Sequence, residues 1–314
     1  MANNGIVVVG SLNLDLVVQV ARIPTVGETI MGEAFQMHPG GKGANQAAEI
    51  ARLDYPVKMI GRVGSDGFGK VLRGNLNSLG VDIGAVAVSE CSSGVAMIVV
   101  QEDGDNSIIV AAGANARLSP DDLDSHIGLI RNAELVLTQL EIPIETLEHL
   151  AAVCEREQVP LIVDPAPVHP LSRQFLKRIE WLTPNETEAQ QLRGSKTSAS
   201  SQADLRDLAE ELMAMGPKNV ILKLGERGAY LATQGGIRVA VPAYRVEAVD
   251  TTAAGDAFNG ALAVALARGS GPKDAVQFAT AAAAISVSRH GATPSMPTRA
   301  EVEAFLAAPS ELAL

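Results

Sequence analysis

The residues best suited to chemistry lie in the run Asp250-Thr251-Thr252-Ala253-Ala254-Gly255-Asp256-Ala257-Phe258-Asn259-Gly260. Small residues at 253–255 let the main chain come close to a ligand, and the alanine-rich stretch after them reads as a helix. A helix start carries amides without intrahelical acceptors and the positive end of the macrodipole, so an anion can be cradled there. Asp256 falls in the first turn, where the same dipole favours an ionised carboxylate that can take a proton from an attacking hydroxyl. Ala253, Ala254 and Gly255 would form the cradle and Asp256 the base, an arrangement suited to moving a phosphoryl group onto an alcohol. The plain alternative is an Asp that only stabilises its own helix.

Other polar residues could bind a small polyol. Asn13 and Asp15 are two apart on an extended segment and share one face, with Leu12, Leu14 and Leu16 on the other. In Gly40-Gly41-Lys42-Gly43-Ala44-Asn45 the glycines permit close approach, while Lys42 and Asn45 offer donors and an acceptor; a glycine turn before a helix would look the same. Glu141 follows an apolar run, at the carboxyl end of an expected strand, where open α/β sheets bind ligands. Asn185 and Glu188 have the spacing of a capping box, and capping alone accounts for them. In Lys223-Leu224-Gly225-Glu226-Arg227-Gly228 the glycines either expose amides to a nucleotide or make a turn. Asp66 reads as a helix cap, and the five histidines have no metal-ligand spacing.

Short apolar runs that alternate with helical periodicity must position these groups. Strands are expected at 6–9, 58–62, 135–139, 161–164, 181–184 and 220–224, and helices at 44–53, 70–79, 144–156, 200–215 and 255–268, which is the pattern of a doubly wound, mainly parallel α/β sheet. Two β-rich regions, 14–38 and 92–112, interrupt it. The second holds two runs around Asp103-Gly104-Asp105, a hairpin signal, and together they predict a small antiparallel β lid inserted in one domain spanning 1–314. The polar stretch 194–202 reads as a loop.

The glycine-rich pair of motifs resembles the signatures of the ribokinase-like carbohydrate kinases. DTTAAGDAFNGAL is similar to their carboxyl-terminal signature and GGKGAN to their amino-terminal one, and the likeness runs from Gly10-Ser11-Leu12-Asn13-Leu14-Asp15 to Gly291-Ala292-Thr293-Pro294-Ser295. The resemblance implies ATP-dependent phosphorylation of D-ribose to D-ribose 5-phosphate, or of another sugar or a nucleoside. It implies sugar contacts from Asn13, Asp15, Gly41, Lys42, Gly43, Asn45, Glu141 and Asp256. Nucleotide or Mg²⁺-water contacts would come from Asn185, Glu188, Lys223, Gly225, Gly228, Gly255 and Thr280. The loop 286–295 resembles the cation loop of the family, which implies a K⁺ site built from Asp250, Thr252, Ser286, Arg289, Gly291 and Ser295, mostly through carbonyls.

Competing functions lack their signatures. The first strand is followed by Gly10-Ser11-Leu12-Asn13-Leu14-Asp15 rather than a dinucleotide-binding Gly-x-Gly-x-x-Gly, and Lys42 is followed by Gly43 rather than the Ser or Thr of a Walker loop. A non-catalytic sugar sensor on the same fold would have no use for Asp256 beside Gly255. With 25 basic against 36 acidic residues, net charge −11, the chain is not expected to bind nucleic acid. Two cysteines without Cys-x-x-Cys spacing suit a reducing cytoplasm, and neither a signal peptide nor a membrane span is expected. Apolar residues such as Val95, Met97, Ile98 and Val99 on an exposed lid predict a homodimer formed through it.

Overall fold

The computed structural model describes residues 5–101, 106–194 and 201–308. The strands, in chain order, are β1 (Ile6–Val9), β2 (Asn13–Val20), β3 (Ala34–Gly40), β4 (Val57–Gly64), β5 (Asp82–Ser89), β6 (Gly94–Gln101), β7 (Asn106–Ala111), β8 (Leu135–Gln139), β9 (Leu161–Asp164), β10 (Trp181–Leu182), β11 (Asn219–Lys223), β12 (Ala229–Thr233) and β13 (Arg238–Val241). Nine of them form one sheet in the order β13-β12-β11-β10-β9-β8-β1-β4-β5. From β11 to β5 all neighbours are parallel, whereas β12 and β13 close one edge antiparallel.

Helices cover both faces, so the central strands are apolar throughout rather than alternating. In β1, Ile6 and Val8 enter one core cluster and Val7 and Val9 the other, all four fully buried. Burying one such side chain is worth about 1.5–3 kcal/mol, so this strand anchors both layers. Two helices on one face carry much of the chemistry. Lys42–Arg52 and Ala254–Ala267 pack together where Gly260 meets Glu49: a Cβ on Gly260 would stand 2.7 Å from the Glu49 Cβ.

The second sheet has the order β3-β2-β6-β7. β2–β3 and β6–β7 pair antiparallel, as expected for a small lid, while the central β2–β6 pair is parallel. Within the β-rich region 14–38 only Asn13–Val20 and Ala34–Gly40 form strands, and the Asp103-Gly104-Asp105 turn and residues 195–200 of the loop expected at 194–202 lie outside the described residues. β5 and β13 were not foreseen. β5 is a sheet-edge strand with Asp82 and Gly84 in it, and β13 has only four residues, so neither shows a clear apolar pattern. Among the described residues no helix is long and apolar enough to cross a membrane.

Candidate active site

The chain winds outward in both directions from the border between β1 and β8, which makes that border the switch point of the sheet. Ser11, after β1, donates from Oγ to Glu141 Oε2, just past β8. The same carboxylate oxygen accepts the Lys42 main-chain N–H at 3.2 Å and Asn13 Nδ2 at 3.5 Å. Asn13 Oδ1 accepts from Asn115 Nδ2 at 2.7 Å, which fixes the amide. Asn13 and Asp15 open β2, in register with Gly40 and His38 of β3, so the roots of the lid carry polar groups onto the switch point.

The glycines of the first motif also let the chain come close to itself. A Cβ on Gly43 would stand 2.7 Å from the main chain of Gly10 and Ser11, and one on Gly41, at φ 89°, 2.6 Å from Asn13 N. They allow the start of the helix to press on the Ser11–Asn13 backbone. This approach is chain to chain, and it brings Lys42 and Asn45 to the site.

Asp256 is 5% exposed in the first turn of the helix Ala254–Ala267. Its Oδ2 accepts from Asn45 Nδ2 and its Oδ1 from Gln46 Nε2, each at 3.0 Å. Burial pushes its carboxyl up to about 6; Lys42 acts against this and Asp164 adds to it. Asp15 is pushed up to about 7 by burial and by the neighbouring Glu141 and Asp256, with Lys42 opposing. Burial acts to lower the Lys42 ammonium, but Asp256, Asp164, Glu141 and Glu188 together hold it above its ordinary value. Ala253 precedes the helix in the left-handed region, φ 58°, at a cost on the order of 1–3 kcal/mol for a residue with a Cβ. Ala254 N–H is turned back to Thr251 O at 3.3 Å, whereas among the described residues the N–H groups of Ala253, Gly255 and Asp256 find no backbone acceptor.

Lys223, at the end of β11, donates to Asp164 Oδ1 at 2.7 Å, and its Nζ lies 3.5 Å from where a Cβ on Gly255 would stand. Asn185 and Glu188 do form a capping box: Asn185 N–H donates to Glu188 Oε2 at 2.7 Å and Glu188 N–H to Asn185 Oδ1 at 2.8 Å. Burial raises the Glu188 carboxyl, with Lys223 opposing and Asp164 adding. Among the described residues no three His, Cys, Asp or Glu side chains cluster to hold a metal ion directly, so half-buried Glu188, beside Asp164 and Lys223, fits a Mg²⁺ only if the ion is held through its waters. Gly225, φ 59°, is exposed on the turn after β11. Gly228 is not free to bind: its N–H closes the turn to Gly225 O at 3.0 Å, and a Cβ there would meet Val241 O at 2.1 Å. Thr280 is 6% exposed inside the helix Pro272–Val287 and spends its hydroxyl on Val276 O, 2.8 Å away.

Beside the segment 286–295, Asp250 Oδ1 accepts Thr252 N–H at 2.9 Å and Oδ2 accepts Gly291 N–H at 2.8 Å. Burial acts to raise this carboxyl, but those bonds leave it below its ordinary value. Ser286 was expected in the loop and is instead in the last turn of the helix. Its carbonyl accepts Arg289 N–H at 3.1 Å and its hydroxyl pairs with Ser295 Oγ at 2.8 Å. Arg289 reaches away to Glu301. Among the described residues the carbonyls of Thr252, Arg289, Gly291 and Ser295 accept no backbone hydrogen bond, which fits a cation that binds oxygen. A groove of about 430 Å³ lies at the opposite, amino-terminal end of the sheet, lined by Glu134, Leu135, Glu180 and Trp181, and holds no base beside a helix start.

The sequence profile described as pfkB family carbohydrate kinase matches residues 3–299. The chain belongs to that family. The kinase is 41% identical over 302 residues to ribokinase of Bacillus subtilis, covering 96% of this chain and 99% of the relative. It is 36% identical over 303 residues to deoxyribokinase of Salmonella typhi, covering 96% and 98%. Among solved structures, the Arabidopsis thaliana ribokinase complexed with ribose and ATP matches it with a TM-score of 0.89 at 38% identity, over 96% of this chain and 98% of that one.

Sequence reasoning missed four side chains that organise the site of the kinase: Ser11, Gln46, Asn115 and Asp164. Gln46 adjoins Asn45 in the first motif and was within reach of notice. Asp164 was assigned only to a buried strand. Its signal is a carboxylate closing an apolar run, the same one that marked Glu141.

Proposed function

We propose that the protein is an ATP-dependent ribokinase that transfers the γ-phosphoryl group of ATP to the 5-hydroxyl of D-ribose. The observation that carries this reading is a buried carboxylate, Asp256, held between two amide donors in the first turn of a helix and near Asp15 and Lys42. Asn13, Asp15, Lys42, Asn45 and Glu141 supply donors and acceptors for sugar hydroxyls, with Glu141 held by Ser11 and by the Lys42 main chain.

The chemistry follows from the pairing. Asp256 takes the proton of the 5-hydroxyl, the sugar oxygen bonds to the γ-phosphorus, and the bond from that phosphorus to the β-bridging oxygen breaks to release ADP. A base whose carboxyl lies near 6 is ionised at neutral pH and still basic enough to assist. The Gly255 and Asp256 amides face the charge that develops on the transferring group. Asn185 and Glu188 would hold the waters of a Mg²⁺, which would supply charge neutralisation at the ATP phosphates.

A K⁺ ion between Asp250 and the 289–295 loop would brace the segment leading into the cradle, since Asp250 already ties Thr252 to Gly291. Of the lid residues expected to be exposed, Met97 is, whereas Val95, Ile98 and Val99 are half-buried; a homodimer through the lid is supported by Phe35, Met37, Met97, Ile108, Ile109 and Val110, which all expose more than half their surface. Free Cys91 and Cys154 suit a cytoplasmic protein. The deciding experiment is a sugar panel with purified protein and ATP. D-Ribose should give the highest kcat/KM and ribose 5-phosphate as product; higher turnover with 2-deoxyribose, a ketose or a nucleoside would replace ribose as the assigned substrate.

A further inference from the structure

Asp164 is 2% exposed at the carboxyl end of β9, and its two oxygens serve different halves of the site. Oδ1 accepts Lys223 Nζ at 2.7 Å, from two strands away in the sheet. Oδ2 accepts Gln46 Nε2 at 3.0 Å, and that nitrogen also donates to Asp256 Oδ1 at 3.0 Å. Lys223 Nζ lies against the first helical turn, 3.5 Å from the position of a Cβ on Gly255. The Lys223 main chain is fixed as well, its N–H donating to Pro184 O at 2.8 Å.

We propose that Asp164 is a positioning residue for phosphoryl transfer, holding the Lys223 ammonium beside the Gly255 and Asp256 amides and orienting the Asp256 carboxylate through Gln46. Lys223 is then a further catalytic cation, meeting the charge that gathers on the transferring phosphoryl group. The inference rests on the kinase reading and goes beyond it in giving this ion pair a task.

Two arguments support the assignment. A buried ion pair is poor evidence of stabilisation, because desolvating both charges offsets most of their attraction. The Lys223–Asp164 pair, with side chains 13% and 3% exposed, is such a pair. The second argument is charge balance. Asp15, Glu141, Asp164, Asp256 and Glu188 surround the site against Lys42 and Lys223; Lys42 is shared among Asp256, Asp164, Glu141 and Glu188, whereas Lys223 is hydrogen-bonded to Asp164. Lys223 Nζ approaches the first turn of the helix Ala254–Ala267 on its Gly255 side, 3.5 Å from the position of a Cβ there. On its flexible stem it could equally turn to Glu188, and the bond to Asp164 selects the cradle.

The test compares wild type with Asp164→Asn, Lys223→Met and the double variant. Readouts are kcat, KM for ribose, thermal unfolding, and calorimetric affinity for ADP with and without aluminium fluoride, which mimics the transferring group. Each single change is expected to lower kcat by about 10²-fold through misplacement, with little change in ribose KM. The double variant, which removes both buried charges and so avoids stranding either, should fall within about threefold of Lys223→Met, because the two act as a unit. All three variants should lose the gain in affinity that aluminium fluoride brings, measured against each variant's own affinity for ADP. A folded double variant with wild-type kcat, or one whose aluminium fluoride gain is intact, would overturn the proposal. Failure of the wild-type protein to phosphorylate any sugar would be a separate result, removing the kinase reading and this inference with it.

Discussion

Asn45 and Asp256 stand 211 positions apart in the chain, and Asn45 Nδ2 donates to Asp256 Oδ2 across 3.0 Å. One residue comes from each glycine-rich motif, so the two motifs are halves of a single site. The bond stabilises the ionised carboxylate and leaves it aimed by a neutral donor that does not compete for the proton.

Replacing Asp256 with Asn should lower kcat by roughly 10²–10⁴-fold while ribose and ATP still bind, since the amide keeps the shape and loses the basicity. The same change should stabilise the fold at neutral pH. A carboxyl raised from 3.8 to about 6 by burial is neutral in both folded and unfolded states below pH 3.8, and it destabilises the fold as pH rises through the folded value. Above that the cost is on the order of 3 kcal/mol. Thermal unfolding of both proteins at pH 4 and pH 7.5 checks this: the variant should gain only at the higher pH. Near-normal turnover in the variant would remove Asp256 from its role as base.

The rate should depend on two carboxyls of different value. kcat should fall as pH drops through about 6, when Asp256 takes its proton, whereas ribose KM should rise earlier, near pH 7, as Asp15 is protonated. Asn45→Ala removes a donor that lowers the Asp256 value, so its kcat profile should shift to higher pH. Steady-state profiles from pH 5 to 9 measure all three. An Asn45→Ala profile displaced to lower pH would contradict the assigned direction.

Activity should respond to the monovalent cation. At constant ionic strength, K⁺ should raise kcat or lower the KM for ATP relative to a bulky organic cation, with Na⁺ and Cs⁺ between them. Asp250→Asn should weaken the response, because the carboxylate joins Thr252 to Gly291 and supplies the only formal negative charge proposed for the ion. Equal rates in all four salts would reject the site.

The lid should pair two copies. β7 is an edge strand exposed along its length, with Ile109 at 69% exposure, and an apolar edge in water invites another strand or face. Sedimentation at micromolar concentration should give a dimer for wild type and a monomer for Ile109→Glu. A wild-type monomer with and without ribose would end the proposal.

By itself the sequence determined the features whose causes are local. The buried run Ile6–Val9 and the boundaries of Leu135–Gln139 and Leu161–Asp164 follow from apolar side chains between turn residues, and Asp66 caps its helix through a bond to Gly69 N–H only three residues on. The family likeness lay in two short motifs, and with them Asp256, Asn45 and Lys42. Only the tertiary structure decided what those motifs do to one another. Gln46 and Asp164 are 118 positions apart and Asp164 and Lys223 are 59 apart, and contacts across such distances leave no periodicity along the chain. Gly41 and Gly43 announced a close approach in sequence, but whether to a ligand or to Ser11–Asn13 depended on which strand lay above them. Thr280 and Ser286 likewise kept their residue types, and the fold turned their hydroxyls to Val276 and Ser295, because a buried hydroxyl must find a partner wherever the packing places it.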